Sequence, residues 1–207
     1  MKDMRGHWES IYTTKQPQEV SWTQKVPRIS LDFVHSFNLS RKASIIDVGG
    51  GESRLVDFLL EEGYEDITVL DISKYALEKS KQRLGEKGEN VHWVVSDVNE
   101  FHSDKRYDLW HDRATFHFLT MEEEIEKYLL NARLSIKNNG FLVIGTFSMS
   151  GPTKCSGLDI RQYSEESLNG KFASGFKKLR CMTDDHVTPF GIVQNFLFCS
   201  FQRLADA

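Results

Sequence analysis

The stretch IIDVGGGESRLVDFLL, residues 45–60, constrains this chain more than any other: an apolar, β-branched run ends in three consecutive glycines and passes directly into helical periodicity. A strand that feeds a helix through bare backbone belongs to an α/β fold. Without Cβ atoms a ligand can lie against the chain, and the helix N-terminus offers unpaired N–H groups, so a flat, polar ligand is expected at this turn. The pattern recurs. Apolar runs at 67–71, 90–97, 107–112 and 140–147 alternate with helical segments, which predicts βαβ units and a parallel sheet. Ser73 reads as the N-cap and Gly85 as the stop of one such helix. Thr120 and Glu123 have capping-box spacing ahead of another, which the NNG at 138–140 is expected to end.

The last third changes character. A Gly/Ser-containing loop from Ser148 to Gln162 leads to a short helix near 164–169, then to strand-like runs at 175–185 and 191–204 joined through HVTPFG. The final run is apolar on both faces, as a strand between two others should be. At 207 residues and 40% hydrophobic content one domain is expected, with an N-terminal helical segment (1–40), a ligand-binding core (41–147) and an acceptor-side loop with the closing strands (148–207). A net charge of −4 gives no broad attraction to nucleic acid or anionic lipid. No apolar stretch reaches the roughly 18–20 residues of a membrane span, so a cytoplasmic protein is expected. Cys155, Cys181 and Cys199 are odd in number and widely spaced, and all three are expected to be reduced thiols. The histidines show no ligand spacing with Cys or acids, so no metal is expected.

A pyrophosphate-binding G-x-G-x-x-G needs glycine at position 54, where this chain has Arg54, and no Gly-Lys-Ser/Thr follows as a phosphate loop would require. The turn instead resembles the first motif of the class I S-adenosylmethionine-dependent methyltransferases: an acidic residue followed by G-x-G at a strand end, here Asp47, Gly49 and Gly51. In that family these residues receive the amino-acid part of the cofactor, whose ammonium suits an acidic residue where a phosphate would be repelled. Ser53 stands where the family has a third glycine and is expected still to offer its backbone N–H. The resemblance extends along the sheet. It implies that Asp71, with Ile72 beside it, accepts the ribose hydroxyls, and that Asp97 and Val98 bind the adenine. Each aspartate taken alone is as well explained as a cap or turn former. Together they line the edge where open α/β sheets bind ligands. The implied architecture is a doubly wound, Rossmann-like, seven-stranded, mostly parallel sheet with an antiparallel last strand and helices on both faces. The implied cofactor is S-adenosylmethionine, with S-adenosylhomocysteine as product.

For the acceptor side, WHDRATFHF (110–118) resembles the corresponding stretch of thiopurine-type and elongation-factor-type protein-lysine methyltransferases. This puts forward Asp112 as neutraliser or base for an acceptor ammonium, or else as a structural cap, and His117 as general base, or else as a half-buried helical residue. Trp8, Tyr12 and Trp22 resemble an N-terminal segment folded over the cofactor, where Trp22 would shield the sulfonium, although an amphipathic helix on the sheet explains them as well. His186, on the turn before the last strand, is either near the acceptor mouth or an ordinary turn residue. The expected acceptor is a protein amine, with a small thiol or tellurite-like molecule as the alternative. A nicotinamide-dependent oxidoreductase and a non-catalytic subunit of the same fold are the competing classes, and no nucleic acid or membrane partner is expected.

Overall fold

In the computed structural model, which describes residues 3–205, the β-rich runs form five parallel strands: β1 (Ser44–Val48), β2 (Asp66–Asp71), β3 (Val91–Val95), β4 (Tyr107–Arg113) and β5 (Ile136–Phe147). A two-residue ladder, β6 (Lys154–Cys155) with β7 (Leu158–Asp159), interrupts the following loop. The long antiparallel hairpin β8 (Phe176–Val187) and β9 (Val193–Arg203) then completes a seven-stranded sheet of order β3-β2-β1-β4-β5-β9-β8. The expected doubly wound sheet with a reversed last strand is what forms, and β9 lies between β5 and β8, which accounts for its two apolar faces.

Helices cover both faces because each strand sends alternate side chains to opposite sides. Ile45, Ile67, Leu109 and Val143 meet α2 (Arg28–Ser36), α3 (Leu55–Glu61) and α4 (Lys74–Leu84). Ile46, Leu70, Trp110 and Ile144 meet α5 (Glu122–Ser135) and α6 (Glu165–Phe172). This alternation decides which end-of-strand residues face the ligand edge. In β4, His111 and Arg113 share the side of Leu109, whereas Asp112 shares the side of Trp110. Ahead of the sheet, α1 (Met4–Thr14) packs on α4, where the Glu9 carboxylate accepts from the Lys74 amide at 2.8 Å and from the Ser73 hydroxyl at 3.0 Å.

Local signals were read with uneven accuracy. Ser73 caps α4 through the Ala76 amide at 3.1 Å, and Gly85 ends that helix at φ +57°. The α5 box sits one residue later than expected: Met121 is the cap, and its amide donates to Glu124 at 3.2 Å. The NNG does not end α5. The strand β5 begins immediately after Ser135, and residues 137–140 form a bulge between the Tyr107↔Ile136 and Leu109↔Phe141 pairs, with Asn139 at φ +63°. The expectation of three reduced cysteines is also corrected. Hairpin register sets Cys181 opposite Cys199 with Cα atoms 4.1 Å apart, and the two form a disulfide, while Cys155 is a buried free thiol. Their separation of 18 residues conceals this until the hairpin closes.

A disulfide closing a loop of this length constrains the unfolded chain by about 3 kcal/mol. Wild-type protein is therefore expected to melt several degrees lower with dithiothreitol than without it, and Cys181→Ser is expected to melt at the reduced temperature under both conditions. Superimposable wild-type melts would contradict the pairing.

Candidate functional site

The carboxyl ends of β1, β2 and β4 open into a cleft of about 2080 Å³. Its floor is the glycine turn. Gly49 and Gly51 have φ of +65° and +41°, and a Cβ on Gly49 would come within 1.7 Å of the Thr115 hydroxyl oxygen. On Gly51 a Cβ would meet Tyr12 Oη at 2.6 Å and Asp71 Oδ2 at 3.0 Å. Only glycine fits here, and its use keeps backbone and two carboxylates close together.

Asp47 is buried at the end of β1. Its Oδ1 accepts from His111 Nδ1 at 2.7 Å, and its Oδ2 is buried without a hydrogen-bond partner. A buried carboxylate oxygen left open beside a glycine turn is a receptor for a cationic or donor-bearing group. Asp71 ends β2, accepting from the amide of Ser73 at 2.8 Å and from that of Gly51. Burial pushes its carboxyl up to about 7, aided by the charges of Asp47 and Glu9 and opposed by those two amides. Ile72, Asp97 and Val98 line the same cleft, and one oxygen of Asp97 is taken by the Asn99 amide at 2.8 Å. Trp22 also lines it, edge-on to Trp8 with centroids 5.6 Å apart, beside Tyr12 and Phe118 in an aromatic wall. Ser53 lies at the rim, but its amide donates to Gly50 O at 2.6 Å within the turn, so the expected free N–H is spent internally.

The acceptor-side expectations fare differently. Asp112 is fully buried, with Oδ1 accepting from the Thr115 amide at 2.9 Å and Oδ2 from the Tyr128 hydroxyl at 2.7 Å. Burial pushes its carboxyl up to about 6, against the pull of Tyr128 and Thr115. These bonds tie the end of β4 to the following turn and to α5, on the face of the sheet that carries Trp110. His117 is also fully buried, stacked on Phe147 at 4.7 Å, and burial with the nearby Arg113 cation holds it down to about 3. Neither is among the described residues lining the cleft.

The cleft is lined further by Arg113, Asp184, Asp185, His186 and Phe196. Arg113 donates from Nη1 to Trp22 O at 3.0 Å and lies over the Phe196 ring, while its Nε and Nη2 are buried without a partner. His186 Nε2 sits 2.6 Å from Ser21 O, and burial lowers its pKa. Reading single residues from strand ends missed His111. The available signal was strand alternation: residues two apart in β4 share the face that Asp47 occupies in β1. Among the described residues no helix is long and apolar enough to cross a membrane, and no group of three or more His, Cys, Asp or Glu is placed to hold a metal ion.

Comparison with known proteins points the same way. A family model described as a methyltransferase domain matches residues 46–142. A zebrafish (Danio rerio) protein named EEF1A lysine methyltransferase 2 is 29% identical over 150 residues, covering 69% of this chain and 58% of its own. A ubiquinone biosynthesis O-methyltransferase of Rickettsia conorii is 26% identical over 141 residues, covering 68% and 47%. The chain thus spans about half the length of these curated relatives. Among solved structures, the Burkholderia thailandensis 1,6-didemethyltoxoflavin-N1-methyltransferase, with bound 1,6-didemethyltoxoflavin and S-adenosylhomocysteine, superposes with a TM-score of 0.72 at 20% identity, covering 98% of this chain and 88% of that one.

Tyr128→Phe removes the hydroxyl that donates to Asp112 and accepts from Trp110 Nε1, leaving two buried groups unsatisfied. A loss of about 2 kcal/mol or more in urea denaturation is expected. A loss below about 0.5 kcal/mol would show that Asp112 does not depend on this bond.

Proposed function

We propose that the chain is a class I S-adenosylmethionine-dependent methyltransferase that transfers the methyl group of that cofactor to a protein amine, a lysine side chain being the acceptor. The observation that carries the cofactor reading is the pair of buried acids over the glycine turn, with Asp47 Oδ2 unpartnered and Asp71 held beside Gly51.

The residues present fit the group. Asp47 Oδ2 would take the ammonium, Asp71 the ribose hydroxyls, and Asp97 with Val98 the adenine, while the wall of Trp22, Trp8 and Tyr12 suits a sulfonium by cation–π attraction. When bound, S-adenosylmethionine supplies an already activated methyl group. The protein's contribution is therefore placement and exclusion of water, which the aromatic wall and α1 provide. On the acceptor side, Asp184 and Asp185 attract a cationic amine to the mouth, and Phe196 and Phe147 supply an apolar channel for its methylene stem. The likeness to the zebrafish protein named as a lysine methyltransferase supports lysine as the acceptor. Incubating cell lysate with methyl-labelled cofactor tests this: a labelled polypeptide band is expected, and label confined to the small-molecule fraction would contradict a protein acceptor.

Cofactor binding should also depend on pH through Asp71. The folded, ligand-free protein keeps this proton up to about 7, whereas the unfolded chain releases it near the ordinary 3.8. The group's contribution to stability thus falls as pH rises between those values. Ribose hydroxyls donate best to the ionised form, so calorimetric affinity for S-adenosylhomocysteine is expected to rise several-fold from pH 6 to pH 8 in wild type and to lie flat in Asp71→Asn. An identical rise in both would assign the titration elsewhere.

A further inference from the structure

Three buried side chains from three separate elements form a continuous hydrogen-bonded line beside the glycine turn. Ser30 Oγ lies 2.9 Å from His111 Nε2, and His111 Nδ1 lies 2.7 Å from Asp47 Oδ1. Each of the three residues is 2% exposed. We propose that His111 is a positioning residue that fixes the Asp47 carboxylate, anchored from α2 by Ser30, so that Oδ2 is held open for the ammonium of the cofactor's amino-acid part. The inference rests on the cofactor reading above and adds to it the group that makes Asp47 selective.

The argument begins with register. Asp47 in β1 and His111 in β4 are paired neighbours in parallel strands, so their side chains leave the same face of the sheet. A carboxylate at the end of a buried strand would otherwise rotate to satisfy both oxygens or fold back onto the turn. Binding Oδ1 to Nδ1–H stops that rotation, and with Nδ1 carrying the proton, Nε2 accepts from the Ser30 hydroxyl. The acceptor-only carboxylate sets this tautomer, and the Ser30 hydroxyl, free to donate, satisfies the second nitrogen and holds the ring from α2. Oδ2 is the atom left over. It has no partner and lies where a Cβ on Gly50 would be 2.9 Å away, so it borders the cradle. The line also brings α2, which lies N-terminal to the residues matched by the family model, into the cofactor site.

The same order of partners occurs in serine hydrolases, where the serine is the nucleophile. Here the acid's open oxygen faces the ligand turn and the serine is the buried outer end, so the chain of bonds runs toward Asp47 as its working end.

Two probes separate positioning from packing: S-adenosylhomocysteine, which carries the ammonium, and 5′-methylthioadenosine, which lacks the amino-acid part. In calorimetry with the full chain, His111→Leu is expected to weaken S-adenosylhomocysteine by about tenfold or more while 5′-methylthioadenosine stays within about twofold. His111→Asn, which restores an N–H toward Asp47, is expected to recover most of the loss, and Ser30→Ala to show a smaller loss of the same selectivity. Retained 5′-methylthioadenosine binding certifies that each variant is folded. Equal weakening of both ligands, or no weakening of either, would overturn the proposal while wild-type binding upholds the cofactor reading. Covalent labelling of Ser30 by a fluorophosphonate would overturn it as well. Wild-type protein that binds neither ligand would remove the cofactor reading and this inference together.

Discussion

The structure turns on a carboxylate placed where a carboxylate is costly. Asp47 is buried at the end of the central strand, its charge supported on one oxygen by His111 and left open on the other. Asp71 is buried as well, and its carboxyl is pushed up by that burial and by the nearby Asp47 charge. A ligand that brings hydrogen-bond donors or a positive charge would relieve this arrangement. The glycine turn follows from the same requirement, since a side chain there would strike Thr115, Tyr12 or Asp71 and close the space the ligand needs.

The rest of the fold serves that edge. Parallel order in β3-β2-β1-β4 brings the ends of four strands together, and α1, latched to α4 through Glu9, brings the aromatic wall over them. The antiparallel hairpin carries Asp184, Asp185 and His186 to the cleft. The middle of this hairpin is tied across the strands by the disulfide between Cys181 and Cys199.

Much of this was legible in the sequence because it is local or periodic. Strand runs, the glycine turn and the Ser73 cap can be read from local pattern, the family resemblance singled out Asp47, Asp71 and Asp97, and all three acids line the cleft. What stayed hidden depends on faces and on distant pairing. Asp112 and His111 are adjacent, yet period-two alternation sends one into the α5 side as a cap and the other to the ligand side. The amide of Ser53 could not be judged free or spent without the turn's own bond to Gly50. Cys181 and Cys199 met only through hairpin register, and the bulge at Asn139 replaced an expected helix stop.

A crystal structure of the protein with S-adenosylhomocysteine tests the central claim most directly. The account requires the ligand's ammonium on Asp47 Oδ2 and its ribose hydroxyls on Asp71, with His111 still bonded to Asp47. A ligand bound away from this edge, or an Asp47 Oδ2 that remains without a partner in the complex, would contradict it.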